Sequence, residues 1–250
     1  DFALAYQPQI DLNTGEIVAV EALVRWISEE GGTMMPGEFI PLAEETGLIS
    51  DIGYWVLRAA CKQAVEWQQQ GHPPRRMAIN LSARQLAEKG FLDHLQATLE
   101  ETGLSPQWLE LEVTETQVMR QGEASVGLLD RIAQLGVHLA VDDFGTGYSS
   151  LSYLKRLPIS KLKIDQSFVR DITVDPNDTA IVVAIINMAK SLDLEITAEG
   201  IETAGQLTLL RAKGCTVGQG FYFSVPASAE ELAPLLEKRS IFESGTRLRA

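Results

Sequence analysis

Two adjacent carboxylates, Asp142 and Asp143, close the apolar run Leu139-Ala140-Val141 and are followed at once by Phe144-Gly145-Thr146-Gly147. Neighbouring side chains on a strand point to opposite faces, so the pair can serve one site only where the strand ends and its backbone turns. Two like charges this close raise each other's proton affinity unless a cation lies between them, and a divalent metal ion is the usual remedy. Two other readings compete for the same residues. The aspartates could cap a helix that opens at Ser149-Ser150 and runs through Leu157 to a stop at Pro158. The glycine turn could instead cradle a dinucleotide pyrophosphate, but the third glycine of that motif is missing and two bare carboxylates would repel phosphate.

Other polar residues recur late in apolar, strand-like runs. Asn80 stands in one, Glu112 and Glu115 in the next, then Lys163 and Asp165, Glu199 with Glu202 just beyond, and Gln219; Glu21 and Arg25 sit in an early β-rich run. Any one of these could be a helix cap or a satisfied core polar group. Collectively that account fails, because so many carboxylates gathered without cations would be costly to bury, and the set implies a metal site. Oxygen donors favour Mg²⁺ or Mn²⁺. His72, His94 and His138 fall in a proline-flanked loop, a helix and the wrong end of a strand, so they form no ligand cluster for zinc.

The elements that would carry these residues follow from pattern and punctuation. Residues 3–10 and 18–26 are β-rich runs joined by the turn-forming Asp11-Leu12-Asn13-Thr14-Gly15-Glu16, which predicts an antiparallel hairpin. Residues 36–46 and 51–70 read as helices. From there strands at 77–82, 109–115, 138–144, 161–166, 195–200 and 216–223 alternate with helices at 83–102, 124–134, 178–192 and 203–213. Gly103, Gly136 and Gly214 stand where helix C-caps want glycine. Two hairpin strands and six alternating ones make eight, so the expected fold is α/β, a modified TIM (β/α)8 barrel with an antiparallel first strand. An open doubly wound sheet is the structural alternative. In such a barrel the chemistry gathers at the C-terminal strand ends, where this chain places its polar residues.

Composition narrows the classes further. The 250 residues are 45% hydrophobic, enough for one sizeable core, and residues 1–239 are expected to form one barrel domain, with 240–250 a C-terminal tail or linker remnant. A strand signal at residue 3 without an initiating Met suggests a domain excised from a longer protein. No apolar run reaches membrane-spanning length. A net charge of -13 argues against binding DNA or RNA polymers. Cys61 and Cys215 suggest no disulfide framework, which fits a reducing cytoplasm.

The segments Tyr6-Gln7-Pro8, Glu21-Ala22-Leu23-Val24-Arg25, Asn80-Leu81-Ser82, Glu112-Val113-Thr114-Glu115, Asp142-Asp143-Phe144-Gly145-Thr146-Gly147, Lys163-Ile164-Asp165, Ala198-Glu199-Gly200-Ile201-Glu202-Thr203 and Gln219-Gly220 together form a pattern. In order and over nearly the whole chain it resembles the EAL-domain phosphodiesterases that hydrolyse cyclic di-GMP. The resemblance implies two ions, Mg²⁺ or Mn²⁺, with Ca²⁺ inhibitory. By the same resemblance Glu21, Asn80, Glu112 and Asp142 ligate one metal, Asp142 bridges and Asp143 serves the second. Glu199 is then a further metal-side carboxylate or the base. Lys163 would contact the attacking water or scissile phosphate, Gln219 would orient the water, and Arg25 would clamp a phosphate, while Gln7 and Leu23 occupy nucleotide-binding positions. Glu115 is implied to hold the loop that carries Asp143, and Asp165 and Glu202 are assigned structural roles in the loops.

Such a site would hydrolyse cyclic di-GMP to linear 5′-pGpG. Degenerate family members sense the nucleotide without cutting it, but they usually lose a metal ligand or the Glu of the EAL triplet, and this chain keeps both. A metal-dependent lyase on the same barrel would leave the matches at Gln7 and Arg25 unexplained. The resemblance further implies a homodimer paired through residues 149–157, and a full-length chain with sensory or GGDEF domains, cytoplasmic at this domain and open to membrane tethering elsewhere.

Overall fold

The computed structural model describes residues 1–28, 32–147, 151–238 and 240–242. Strands β1 (Phe2–Asp11) and β2 (Ile17–Ile27) form the expected antiparallel hairpin, closed by the Asp11 carboxylate accepting from the Asn13 and Thr14 amides at 2.9 and 2.8 Å. A short strand, β3 (Thr33–Met34), pairs on the end of β2. Helices α1 (Pro36–Thr46) and α2 (Ile49–Gln69) then lead into β4 (Met77–Asn80), which runs parallel to β2. The parallel series continues through β5 (Leu109–Thr114), β6 (His138–Phe144), β7 (Lys161–Ile164), β8 (Glu195–Ala198) and β9 (Val217–Gly218). β9 pairs antiparallel with β1 and closes the ring. The fold is the eight-stranded modified TIM barrel expected, with β1 antiparallel to both neighbours and β3 an appendage.

Helices α3 (Ala83–Ala87), α4 (Phe91–Thr102), α5 (Glu115–Gln121), α6 (Glu123–Gln134), α7 (Leu151–Leu154), α8 (Gln166–Arg170), α9 (Pro176–Ser191), α10 (Ala204–Lys213) and α11 (Ala229–Leu236) follow their strands around the outside. Their buried faces complete one core, in which Trp67 of α2 is enclosed and meets the Tyr6 ring edge-on at 5.1 Å. None of the described helices is long and apolar enough to cross a membrane.

The structure departs from the sequence expectations where a polar residue ends a strand. The expected strands 77–82, 109–115, 161–166 and 195–200 stop one or two residues early, and in the first three the next polar side chain caps a helix instead. Ser82, Thr114 and Asp165 accept from the amides of Gln85, Gln117 and Ser167, so α5 and α8 begin where strand or loop was expected. The single helix expected over 83–102 is two, since Glu88 is extended and Gly90 adopts φ 149° between α3 and α4. Helix α11 was hidden by Pro234, although Ser228 and Glu231 form a capping box at its start. Of the helix expected from Ser149 to Leu157, residues 149 and 150 lie outside the described residues and α7 covers Leu151–Leu154. Ser240 donates to the Thr14 carbonyl at 2.7 Å and the Ile241 amide to that of Gly15 at 3.0 Å, so the first tail residues rest on the hairpin turn; residues 243–250 lie outside those described.

β9 is the shortest barrel strand, two residues where eight were expected, because Gly220 turns the chain at φ 154°. A Cβ there would lie 2.2 Å from the Ile201 carbonyl oxygen. The close approach lets the Ile201 amide donate to the Gln219 carbonyl at 3.0 Å and seats Gln219 at the barrel mouth. Gly220→Ala is therefore expected to destabilise the fold by about 1–3 kcal/mol, measured as a lower urea midpoint at unchanged m value. An unchanged midpoint would show that the turn relaxes freely.

Candidate active site

Strand alternation puts Glu110 and Glu112 of β5 on the same face, and likewise Lys161 and Lys163 of β7, and in both pairs that face is the barrel interior. Lys163 is fully buried. Its ammonium lies 2.5 Å from Glu112 Oε2, 2.6 Å from Glu199 Oε1, 3.0 Å from Asp142 Oδ2 and 3.6 Å from Glu21 Oε2. Burial opposes its charge, but Asp142, Glu112, Glu199 and Glu21 together more than offset that and hold its pKa well above the ordinary lysine value. The lysine therefore stays charged and draws carboxylates from β2, β5, β6 and the end of β8 to one point.

Asp142 and Asp143 share this site through a backbone irregularity within the last residues of β6, where the strand was expected to end and turn. The register against β7 shifts between Val141 and Phe144, and Asp143 takes a left-handed φ of 53°. That kink cancels the alternation, so oxygens of Asp142, Asp143 and Glu199 lie within 4.8 Å of one another. Burial, with repulsion from Asp142 and Asp165, pushes Asp143 up to about 6. Burial pushes Glu199 up to about 8, aided by Asp142 and Glu21, although Lys163 pulls the other way. Glu112, buried and facing Glu21 and Asp142, is also raised well above the carboxylate range against the pull of Lys163. One ammonium among these five carboxylates leaves four negative charges when all are ionised, a demand that hard divalent cations meet. An all-oxygen donor set at this spacing fits such ions.

The neighbouring polar groups are fixed in turn. Asn80 Nδ2 donates to Glu21 Oε1 at 2.6 Å, and Gln219 Nε2 donates to Glu21 Oε2 at 2.7 Å and Gln7 Oε1 at 2.9 Å. Gln7 Nε2 donates to the Ser224 carbonyl at 3.0 Å. Gln219 Oε1 is buried with no hydrogen-bond partner among the described residues. Glu115 Oε2 accepts from the Gly145 amide at 2.8 Å and the Gly147 amide at 3.4 Å, which ties down the segment following Asp143. Asp165 is the N-cap of α8, and Glu202 is exposed at the rim. Arg25 is half-buried and donates to the carbonyl of Val24 at 2.9 Å, outside the carboxylate cluster.

A cleft of about 250 Å³ opens over the carboxylates, bounded by Glu21, Asp142, Glu199, Gln219, Gln166 and Phe221. A second, largely apolar cleft of about 230 Å³ lies beside it, between Pro36, Ile40, Ile49, Ile52 and Asn80, and Leu23 lines both. The sequence reading missed Gln166 and Phe221. Phe221 is 58% exposed, and an aromatic directly after Gln219-Gly220 was the available signal.

An eight-stranded modified TIM barrel carries a lysine-anchored carboxylate cluster, suited to hard divalent cations, at its C-terminal mouth. The chain belongs to the EAL-domain family, whose profile matches residues 1–226. It is 47% identical over 229 residues to the bifunctional diguanylate cyclase/cyclic di-GMP phosphodiesterase MucR of Pseudomonas aeruginosa, a match covering 92% of this chain and 33% of that protein. The cyclic di-GMP phosphodiesterase NbdA of the same species is 44% identical, with 93% of this chain and 30% of NbdA covered. The solved MucR phosphodiesterase in complex with c-di-GMP superposes at a TM-score of 0.90 and 46% identity, covering 92% of this chain and 94% of that one. The chain thus spans about a third of the length of these curated relatives.

The charge imbalance predicts how metal and fold are linked. In chelator at pH 8, Asp143→Asn is expected to melt at or above the wild-type temperature, because a repelled carboxylate has been removed. Added Mn²⁺ should raise the wild-type melting temperature and raise that of Asp142→Asn and Asp143→Asn much less, their affinities falling at least about tenfold by calorimetry. Equal Mn²⁺ affinity in all three proteins would remove these aspartates from the metal site.

Proposed function

We propose that this chain hydrolyses cyclic di-GMP, cleaving one phosphodiester bond to give linear 5′-pGpG. The observation that carries the reading is the complete cluster of Glu21, Asn80, Glu112, Asp142, Asp143, Lys163, Glu199 and Gln219 assembled under a cleft in an EAL-family barrel. Two divalent ions, Mg²⁺ or Mn²⁺, are the assignment that balances the charge of the five carboxylates; when bound they lower the pKa of water and offset charge developing on phosphate. Glu21, Asn80, Glu112 and Asp142 are assigned to one ion and Asp142, Asp143 and Glu199 to the other.

The remaining roles belong to the chain's own atoms. Gln219 lines the cleft, and its Oε1, buried and without a partner among the described residues, is the acceptor assigned to orient the attacking water. Water adds at one phosphorus and passes a proton to Glu199, while the bond from phosphorus to the 3′-oxygen breaks and that oxygen leaves with the electron pair and takes a proton from solvent to become the 3′-hydroxyl. Lys163 is enclosed by carboxylates, so its part is to fix their positions, and its charge bears on the phosphate through them. Leu23 and the apolar cleft beside it receive one guanine, Phe221 offers a ring face to the other, and Gln7 and Arg25 hold the edge of the site. A ring-closed substrate suits these paired clefts, since little of its conformational freedom remains to be lost.

The same reading assigns the domain to the cytoplasm and two copies to a dimer paired through residues 149–157. Further sensory or GGDEF domains in the full-length protein are supported by the share of its relatives' length that the chain spans.

Incubation with cyclic di-GMP and Mg²⁺ or Mn²⁺, followed by nucleotide chromatography, should yield linear product. EDTA should abolish it, and Ca²⁺, with its looser geometry, should support it poorly. Binding without cleavage would favour a receptor, and full turnover in EDTA would sink the metal assignment. Lys163→Met is expected to lower kcat by about 10²-fold or more with KM changed far less, far-UV circular dichroism serving to check folding. A change confined to KM would move Lys163 to ground-state binding.

A further inference from the structure

One set of buried polar groups lies below the site and has no part in the chemistry so far assigned. Lys161 and Glu110 are both fully buried, and Lys161 Nζ donates to Glu110 Oε1 at 2.7 Å. Arg76 holds the other oxygen of Glu110 at 3.1 Å and reaches Glu195, at 2.6 Å, on the outer side. Lys161 also donates to Gln9 Oε1 at 3.0 Å, and Gln9 Nε2 points to Glu112 Oε1 at 3.4 Å. Glu112 Oε2 is in turn held by Lys163 at 2.5 Å. Lys161 lies two residues before Lys163 on β7 and Glu110 two before Glu112 on β5, so two polar layers are stacked inside the barrel and Gln9 of β1 spans them.

Donor and acceptor counting gives this arrangement a direction. An ammonium can only donate, so it fixes Gln9 with its carbonyl oxygen toward Lys161. The amide nitrogen must then face Glu112, and Glu112 meets a donor on each of its two oxygens, Gln9 on one and Lys163 on the other. A buried ion pair is poor evidence of stabilisation, since well-packed apolar residues commonly serve as well, and a barrel interior is ordinarily filled by branched apolar side chains.

Building on the reading of Glu112 as a metal ligand, we infer that Lys161 and Gln9 are positioning residues that set the orientation of the Glu112 carboxylate from beneath the site. The hydrogen-bonded route from Lys161 to Glu112 runs through the Gln9 amide. Without Lys161 that amide is free to flip, and without Gln9 one oxygen of Glu112 loses its donor, so either change blurs one ligand of the metal centre.

The test compares Gln9→Leu, Lys161→Met, the double variant and Glu195→Gln. Mn²⁺ affinity is measured by calorimetry on chelator-treated protein, together with thermal melting and the kcat and KM for cyclic di-GMP. Gln9→Leu and Lys161→Met should each weaken Mn²⁺ binding by roughly tenfold and lower kcat with KM within about twofold. The double variant should be no worse than either single, because both act through one contact. Glu195→Gln, at the outer end, should leave Mn²⁺ affinity and kcat unchanged. Wild-type Mn²⁺ affinity in folded Gln9→Leu, or losses that add in the double variant, would overturn the inference. Should Lys161→Met fail to fold, Gln9→Leu decides alone, since Lys161 keeps Glu110 there. A wild type that binds Mn²⁺ but cuts no cyclic di-GMP would defeat the functional reading, and the Mn²⁺ affinities would still decide this one.

Discussion

The barrel mouth depends on a single buried ammonium. Four carboxylates that repel one another arrive from separate strands, and among the described residues Lys163 is the cation that meets all four. Desolvating a lysine this completely is costly in itself, and the cost is met only because each partner lies within ion-pair distance. Removing any one partner changes the environment of the others, so these residues act as a coupled set. The extreme position of Lys163, charged against burial, is the electrostatic record of that coupling.

Around this centre the backbone makes two local exceptions to regular structure, and both aim side chains. The left-handed Asp143 breaks the two-residue period of β6 so that neighbouring aspartates face the same space. Glu115, the first residue of α5, then anchors the amides of Gly145 and Gly147. Lys163 therefore fixes the carboxylates from beneath and Glu115 fixes the loop from the side. Asp143 depends on the loop more than on the lysine, which makes it the cluster member whose position a displacement of that segment would alter most.

Much of this was legible in the sequence because period and punctuation are local. Alternating βα segments gave the barrel, and the hairpin turn gave the reversed first strand. Polar residues late in apolar runs located the mouth, since an apolar strand has no other reason to end that way repeatedly. Strand ends were misjudged for a related reason. Ser82, Thr114 and Asp165 are as compatible with extending a strand as with capping a helix, and only the three-dimensional path decides. The kink at Asp143 carried no signal distinct from a strand end. Gln9 and Lys161 were invisible as a pair because nothing local connects residues separated by 152 positions. Lys163 was assigned to water or phosphate from resemblance, whereas the contacts the fold gives it are with carboxylates.

Lysine and metal divide the electrostatic work at this site. A lysine whose pKa lies well above its usual value remains charged throughout the working range, so its single positive charge is a permanent part of the fold. It is too little to neutralise the cluster, and the raised pKa values of Asp143 and Glu199 express the remainder. A second buried lysine at the mouth would lower that remainder by one charge and weaken the affinity for a divalent ion. The second lysine of the barrel interior, Lys161, is instead in the layer below, where Glu110 pairs with it and Gln9 passes its influence to Glu112 as a neutral hydrogen bond. The stacking keeps the positive charges apart and leaves the mouth negative enough to recruit cations. Folding and metal affinity thus draw on the same carboxylates without one satisfying the other.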